Sequence, residues 1–504
     1  MFTEEHVKNL KEQAEVLLAE KFSKGLDREC ELLASQLLKV DPLNCKVVQL
    51  LGLVKHKQHL YQEAMGFFDR ALEIEPGNYE NHNNKALCLS GLGKYEEAIG
   101  SLLKARELRP DLDFIHANLA LQYRSAGMIE DAISSFRKAL SIKETCETWG
   151  MLGGCYGELR DLDASKSCFD KSLALNPDFA ASHVDMASIH QFRGEWHKSW
   201  DHYERRFELY EQSKFWNQVY DPAKRLQKGA QVNGMRILVH PEQGTGDVIH
   251  FFRYIPELRR KGAHVILHCW ESLKPLMEHD VDEVYTREPA TMKKFSDPNE
   301  NDVPNHDGVC SIVSLPYVLE AIQIPEAPYL QTKESFDTSE YNDCKLKIGI
   351  VWAGNPQHPN DKFRSCKLSE FKIIHDIGGV RLFNLQKDMR PRMYRFSSMP
   401  IDLTEGAQGM KIVDCSEFQS DYGKTAALID AMDLVITVDT SVLHLAGAMG
   451  KKTFALLSRN CDWRWKMDGS TTDWYSSVRL FRQKRLDVWS DVFEEVRAEV
   501  EGML

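Results

Sequence analysis

No two of the twelve cysteines, which run from Cys30 to Cys461, stand in a C-x-x-C pair. Thiols scattered without ligand spacing read as buried side chains in a reducing compartment, not as a disulfide framework or a metal site. Nowhere does an apolar run approach the ~20 residues that a membrane-spanning helix needs. The segment from Met1 to Glu20 is charged every few positions and lacks the apolar stretch of a secretory signal. These absences predict a cytoplasmic chain with no transmembrane segment. An excess of positive charge is missing too. The formal net charge of −12 excludes a broad phosphate-binding face, so no nucleic-acid partner is expected, while a local basic pocket stays open.

What is present is a long chain of globular composition. It has 504 residues, 43% hydrophobic and 27% charged, enough for two or three separate cores. The first two hundred residues repeat. Pro42, Pro76 and Pro110 are evenly spaced, and Pro177 follows after two further units with one deletion. Between them the same residue types recur: Leu51-Gly52, Tyr61, Ala64, Phe68 and Ala71 in one unit; Ala86, Leu89, Gly93, Tyr95, Ala98, Leu102 and Ala105 in the next. Ala120, Tyr123, Gly127, Ala132, Phe136 and Ala139 follow, then Trp149, Leu152-Gly153, Tyr156, Ala164 and Phe169. Small residues let paired helices approach, aromatics fill the gaps between units, glycine permits the turn, and proline stops the second helix. The pattern resembles the tetratricopeptide repeat over residues 10 to 212, in about six units, and implies a stacked helical array with a concave binding surface. His183, His190, His197 and His202 read as packing or solvated residues. The aromatics Trp196, Trp200, Tyr203, Phe207 and Tyr210 read as a seam that caps the array against the next domain.

After Tyr220 the period changes. Apolar runs at Met235–His240, His264–His268, Asp282–Tyr285 and Cys310–Ser314 alternate with helical stretches such as Val248–Arg260, which predicts a parallel sheet covered on both faces. A polar stretch, Pro325–Lys345, suits a connector. A second series follows, with strands expected at Lys347–Trp352, Arg381–Leu385 and Leu434–Val438. The expected architecture is therefore multidomain: a helical array over 1–215, then two doubly wound lobes over 216–335 and 336–504. Ligands of such sheets bind at the carboxyl ends of the strands.

Three loops at those ends carry suitable chemistry. Gln243, Gly244, Thr245 and Gly246 precede Asp247, which serves either as a helix cap or as a general base for an acceptor hydroxyl. Ile249 stands where a dinucleotide-binding G-x-G-x-x-G would need its third glycine, which weighs against a dehydrogenase. Gly354, Asn355, Lys362 and Arg364, with Gln386 and Lys387 at the next strand end, offer cations to a diphosphate. Asp439, Thr440, Ser441 and His444 open a helix whose N–H groups favour anions.

With these pieces in this order, residues 233 to 500 resemble the heptosyltransferase family of GT-B glycosyltransferases, and more closely its tetratricopeptide-fused bacterial and phage members. The resemblance is carried by Gly246-Asp247, Ile350–Asn355, Val438–Ala446, and the tail pieces Cys461-Asp-Trp-Arg-Trp465, Asp473-Trp-Tyr475 and Arg479–Gln483. It implies that Asp247 is the base of an inverting sugar transfer and that Asp439, Thr440 and His444 belong to the nucleotide-sugar pocket. No metal and no cofactor beyond the nucleotide-sugar substrate carries over. A protein or glycan acceptor presented by the repeats is expected, and the layout resembles that of protein O-linked N-acetylglucosamine transferases in architecture only. Two alternatives remain open: a non-catalytic repeat scaffold with a degenerate two-lobed domain, and an epimerase or phosphorylase on the same fold.

Overall fold

The computed structural model describes residues 4–209, 221–286, 303–356, 361–386 and 409–504, with side chains from residue 12 onward and that of Lys362 excepted. The chain divides into two compact units, Met1–Asp185 and Met186–Leu504.

The first unit is all helical. Its helices are α1 (Glu4–Ser23), α2 (Asp27–Val40), α3 (Cys45–Lys57), α4 (Tyr61–Ile74), α5 (Tyr79–Gly91), α6 (Tyr95–Leu108), α7 (Asp113–Ser125), α8 (Ile129–Ile142), α9 (Cys146–Glu158) and α10 (Leu162–Leu175). The start of α11 (Ala180–Phe192) also lies here. Helices α4, α6 and α10 each stop two residues before a proline, because the residue preceding proline is pushed out of helical geometry. Asn44, Asn78 and Thr145 accept hydrogen bonds from backbone N–H groups in the first turns of α3, α5 and α9. Ala64, Ala71, Ala86, Ala98, Ala105, Ala120 and Ala132 are completely buried, and they set the close helix spacing that the repeat pattern predicts. A Cβ on Gly52 would lie 2.7 Å from the Phe68 ring, and one on Gly153 would lie 2.7 Å from Phe169. Those rings therefore rest on bare helix backbone.

The second unit holds two parallel sheets. The first contains β1 (Arg236–His240), β2 (His264–Cys269), β3 (Glu283–Thr286) and β4 (Gly308–Ser311), in the order β3-β2-β1-β4. The second contains β5 (Leu346–Val351), β6 (Val380–Asn384), β7 (Ile412–Asp414), β8 (Leu434–Val438), β9 (Thr453–Leu457) and β10 (Val478–Arg482), in the order β10-β9-β8-β5-β6-β7. Both sheets grow outward from their first strand on one side and then cross to the other. The crossover falls between β1 and β4 in one sheet and between β5 and β8 in the other. In doubly wound folds that switch point opens the crevice where ligands bind. Strands β4, β8 and β9 are buried along their whole length, as strands covered on both faces must be.

Helices α12 (Trp196–Tyr203), α13 (Thr245–Phe251), α14 (Tyr422–Asp430), α15 (Ser441–Ala448) and α16 (Ser490–Glu501) flank the sheets. Several local expectations need correcting. The apolar run Cys310–Ser314 is a strand only as far as Ser311, whose hydroxyl accepts from Val313 N–H and turns the chain. The helix expected over Val248–Arg260 is interrupted at Phe252–Tyr254, just ahead of Pro256. Strands β7, β9 and β10 were not anticipated. Among the described residues no helix is long and apolar enough to cross a membrane.

Candidate functional site

The chain leaves β1 at His240 and turns through Pro241–Gly244 into α13. Gln243 adopts a left-handed backbone (φ 64°), and its side-chain amide donates to the Tyr203 hydroxyl. Asp247 sits in the first turn of α13. One of its oxygens accepts from Gly244 N–H at 2.9 Å, so the helix-cap reading holds. The other accepts from Arg464 Nη2 at 2.5 Å. A single carboxylate thus caps a helix and carries an ion pair at the switch point of the first sheet.

Strand β8 runs into Asp439, with Thr440 at the cap of α15. A Cβ on Gly246 would fall 2.9 Å from the His444 ring and 3.5 Å from Ser441 Cα, so the first turn of α13 abuts the first turn of α15. Residues 198 positions apart meet because both turns lie at carboxyl ends of central strands. The Ser441 hydroxyl accepts from Tyr422 at 2.9 Å, and Thr440 is hydrogen-bonded to Thr437 at 3.2 Å. His444 Nε2 lies 4.0 Å from Asp439 Oδ1, and its Nδ1 bonds the Tyr475 hydroxyl at 3.0 Å. The same hydroxyl bonds His250 Nδ1 at 2.9 Å, so one tyrosine ties together helices from both sheets.

Arg464 is 6% exposed and holds Asp462 at 2.9 Å as well as Asp247. Its guanidinium stacks over the Trp463 ring at 4.2 Å. Burial pushes the Asp247 carboxyl up from its ordinary value, and the Arg464 charge opposes this. Asp439 is pushed up to about 6, mainly by burial and by the neighbouring Asp462 carboxylate. Burial, with the adjacent Arg464 charge, holds His444 and His250 well below the usual histidine value, so both are neutral.

The second cationic loop is only partly described. Gly354 packs against the Arg364 guanidinium so closely that a Cβ there would collide with it, and its N–H donates to Ser365 Oγ at 3.0 Å. Arg364 pairs with Asp361 at 3.2 Å, and its charge is felt at Asp439 and His444. Asn355 is exposed at the mouth of β5. Gln386 is buried, and its Oε1 accepts from the backbone N–H groups of Trp352 and Ala353, so it braces the ends of β5 and β6. Lys387 lies outside the described residues, as does the Lys362 side chain.

The loop carrying Asp247 is braced from beneath. Arg206, completely buried, makes two hydrogen bonds to Glu242 at 2.8 and 2.7 Å, and others to Glu204 and Ser314. Trp196 and Trp200 of α12 pack on Trp463, and Trp196 Nε1 donates to Asp473 at 3.3 Å. A small pocket opens at the carboxyl ends of β1 and β4, lined among others by Phe207, Arg225, His240 and Ser311. Arg464, Asp462, Tyr475 and His250 were not singled out individually from the sequence. Arg464 and Tyr475 lie within the quoted tail pieces, but nothing local marks them as partners of Asp247 and His444.

Residues 67–100, 115–146 and 147–179 match family models described as tetratricopeptide repeat. The repeats are tetratricopeptide repeats. Residues 421–472 match the model for "Glycosyltransferase family 9 (heptosyltransferase)", a stretch that contains α14, β8, α15, β9 and Arg464. That match points to glycosyltransferase chemistry in the second unit. Protein FlbA of Caulobacter vibrioides is 22% identical over 420 residues, 70% of this chain; the match spans 66% of that protein, slightly less than two thirds. Among solved structures, PilF of Pseudomonas aeruginosa is 16% identical with a TM-score of 0.37, covering 42% of this chain and 97% of its own. A thermophilic TPR protein of Thermus thermophilus is 20% identical with a TM-score of 0.31, covering 36% and 98%. MamA of Desulfovibrio magneticus RS-1 is 18% identical with a TM-score of 0.32, covering 34% and 96%.

Proposed function

We propose that the second unit is an inverting glycosyltransferase of GT-B type. It moves a sugar from a nucleotide-diphosphate donor to a protein or glycan acceptor, without a metal ion, and the tetratricopeptide array recruits that acceptor. The observation carrying this reading is that the first turn of α13, which holds Asp247 at the switch point of one sheet, abuts the first turn of α15 at the switch point of the other. The family match over 421–472 falls on the second half of that junction.

In this reading the acceptor hydroxyl attacks the anomeric carbon while Asp247 takes its proton. The bond from that carbon to the donor's phosphate oxygen breaks, and its electron pair leaves with the nucleoside diphosphate. Negative charge grows on the departing oxygen, where the N-terminal end of α15 and Arg364 stabilise it electrostatically. The partly buried setting of Asp247 raises its proton affinity, as a base working near neutral pH requires.

The test is transfer from a panel of nucleotide-diphosphate sugars, with products read by mass spectrometry. Asp247→Asn is expected to lower turnover by roughly 10²–10⁴-fold, the usual worth of a general base. Transfer is expected to persist in excess chelator. Unchanged turnover in the variant, or an isomerised donor in place of a transferred sugar, overturns the reading.

A further inference from the structure

Arg464 is buried, yet its guanidinium is not fully engaged. Nη1 binds Asp462 and Nη2 binds Asp247, while Nε has no hydrogen-bond partner among the described residues. A buried guanidinium N–H left without an acceptor costs about 1–3 kcal/mol, so its presence calls for an explanation. The charge around it is also unbalanced. Three carboxylates, Asp247, Asp439 and Asp462, act on this one cation. Arg364, which also acts on Asp439, is already paired with Asp361. A diphosphate entering beside Asp439 and Thr440 brings further negative charge to a place where both oxygens of Asp247 are already engaged. A base in that condition is poorly placed to accept a proton.

We propose that Arg464 is a further catalytic residue that changes partners: it moves its Nη2 hydrogen bond, and offers its free Nε–H, to the diphosphate of the donor, and thereby frees Asp247 for the acceptor proton. This rests on the reading of the site as a glycosyltransferase. The exchange makes the chemistry ordered, because the base is released only when a diphosphate is in place. It also gives Asp247 and the diphosphate opposite claims on one cation. Competition of that kind has a signature that a merely structural arginine lacks: neutralising the carboxylate strengthens anion binding.

The probe is inorganic pyrophosphate, titrated calorimetrically into the full chain. Asp247→Asn keeps the shape of the side chain and weakens its hold on the guanidinium. It is expected to bind pyrophosphate at least about tenfold more tightly than the parent, since a single charge at hydrogen-bonding range outweighs that factor in a partly buried site. Arg464→Gln is expected to lose at least about tenfold, with Arg464→Lys between them. Should Arg464→Gln fail to fold, the Asp247→Asn comparison alone decides. Equal or weaker pyrophosphate binding by folded Asp247→Asn overturns the proposal, even where that variant has lost transfer activity as the function predicts. Tighter binding in a chain that transfers no sugar from any donor leaves the partner exchange standing and removes the glycosyltransferase reading instead.

Discussion

At the scale of single residues, Asp439 makes a prediction about pH. Its carboxyl is pushed up to about 6 by burial and Asp462, against the opposing influence of Trp465, Arg364 and Arg464. Neutral His444, 4.0 Å away, supplies no compensating charge. The folded chain therefore holds this proton more tightly than the unfolded chain, where an aspartate titrates near 3.9. The stabilisation is complete below about pH 4 and disappears as the pH rises through about 6. Asp439→Asn cannot ionise, so it should match its parent near pH 3 and exceed it by up to about 3 kcal/mol at pH 7.5. Denaturation midpoints at the two pH values check this. A difference that stays constant with pH would show that the Asp439 charge is not strained by its surroundings. The same residues show how far sequence reading reached. Asp247 was legible because a short glycine-bearing turn after a strand has few uses; the carboxylate caps the helix through one oxygen, and the base role remains part of the proposal. Its pairing with Arg464 was not legible, because 217 positions separate the two and only the sheet crossovers bring them together.

At the scale of elements, one substitution should act with opposite signs in neighbouring helices. Gly52 in α3 faces the completely buried Phe68 ring, which a Cβ would meet at 2.7 Å, so Gly52→Ala must displace a packed aromatic. Overpacking of this kind costs about 1–3 kcal/mol. Gly66 in α4 is exposed, has ordinary helical geometry and has nothing within 4 Å of a Cβ, so Gly66→Ala removes only the entropic penalty of glycine and should add about 1 kcal/mol. Thermal unfolding of the two variants checks the pair; Gly52→Ala at or above the parent's stability would mean that the ring does not rest on the helix backbone. Glycines in the repeats were readable because a periodic pattern shows the same position several times. Strands β9 and β10 offered no such redundancy. Each is only five residues long, β9 buried throughout and β10 alternating just once, and runs so short carry no period that separates a strand from a short helix.

At the scale of the whole molecule, the repeat pattern and the cores it feeds part company. The pattern continues to residue 212 in the sequence, whereas α12 and the turn after it belong by their contacts to the unit that begins at Met186. Trp196 and Trp200 are 8% and 4% exposed, and they share a core with Ile237 of β1, Phe251 of α13 and Trp474. Arg206 supplies the charge that lets Glu242 remain buried directly before the Asp247 turn. A chain starting at residue 186 keeps all of these, whereas one starting at residue 216 loses them together. Leaving Glu242 buried without its guanidinium costs about 3–5 kcal/mol, and the loss of each buried tryptophan costs a similar amount. The sum reaches the whole stability of an ordinary domain, about 5–15 kcal/mol. The longer chain should therefore melt cooperatively with a strong near-ultraviolet dichroism signal from its tryptophans, and the shorter one should show neither. Equal melting of the two would mean that α12 only rests on the second unit, and that Arg206 has no part in holding the loop that presents Asp247.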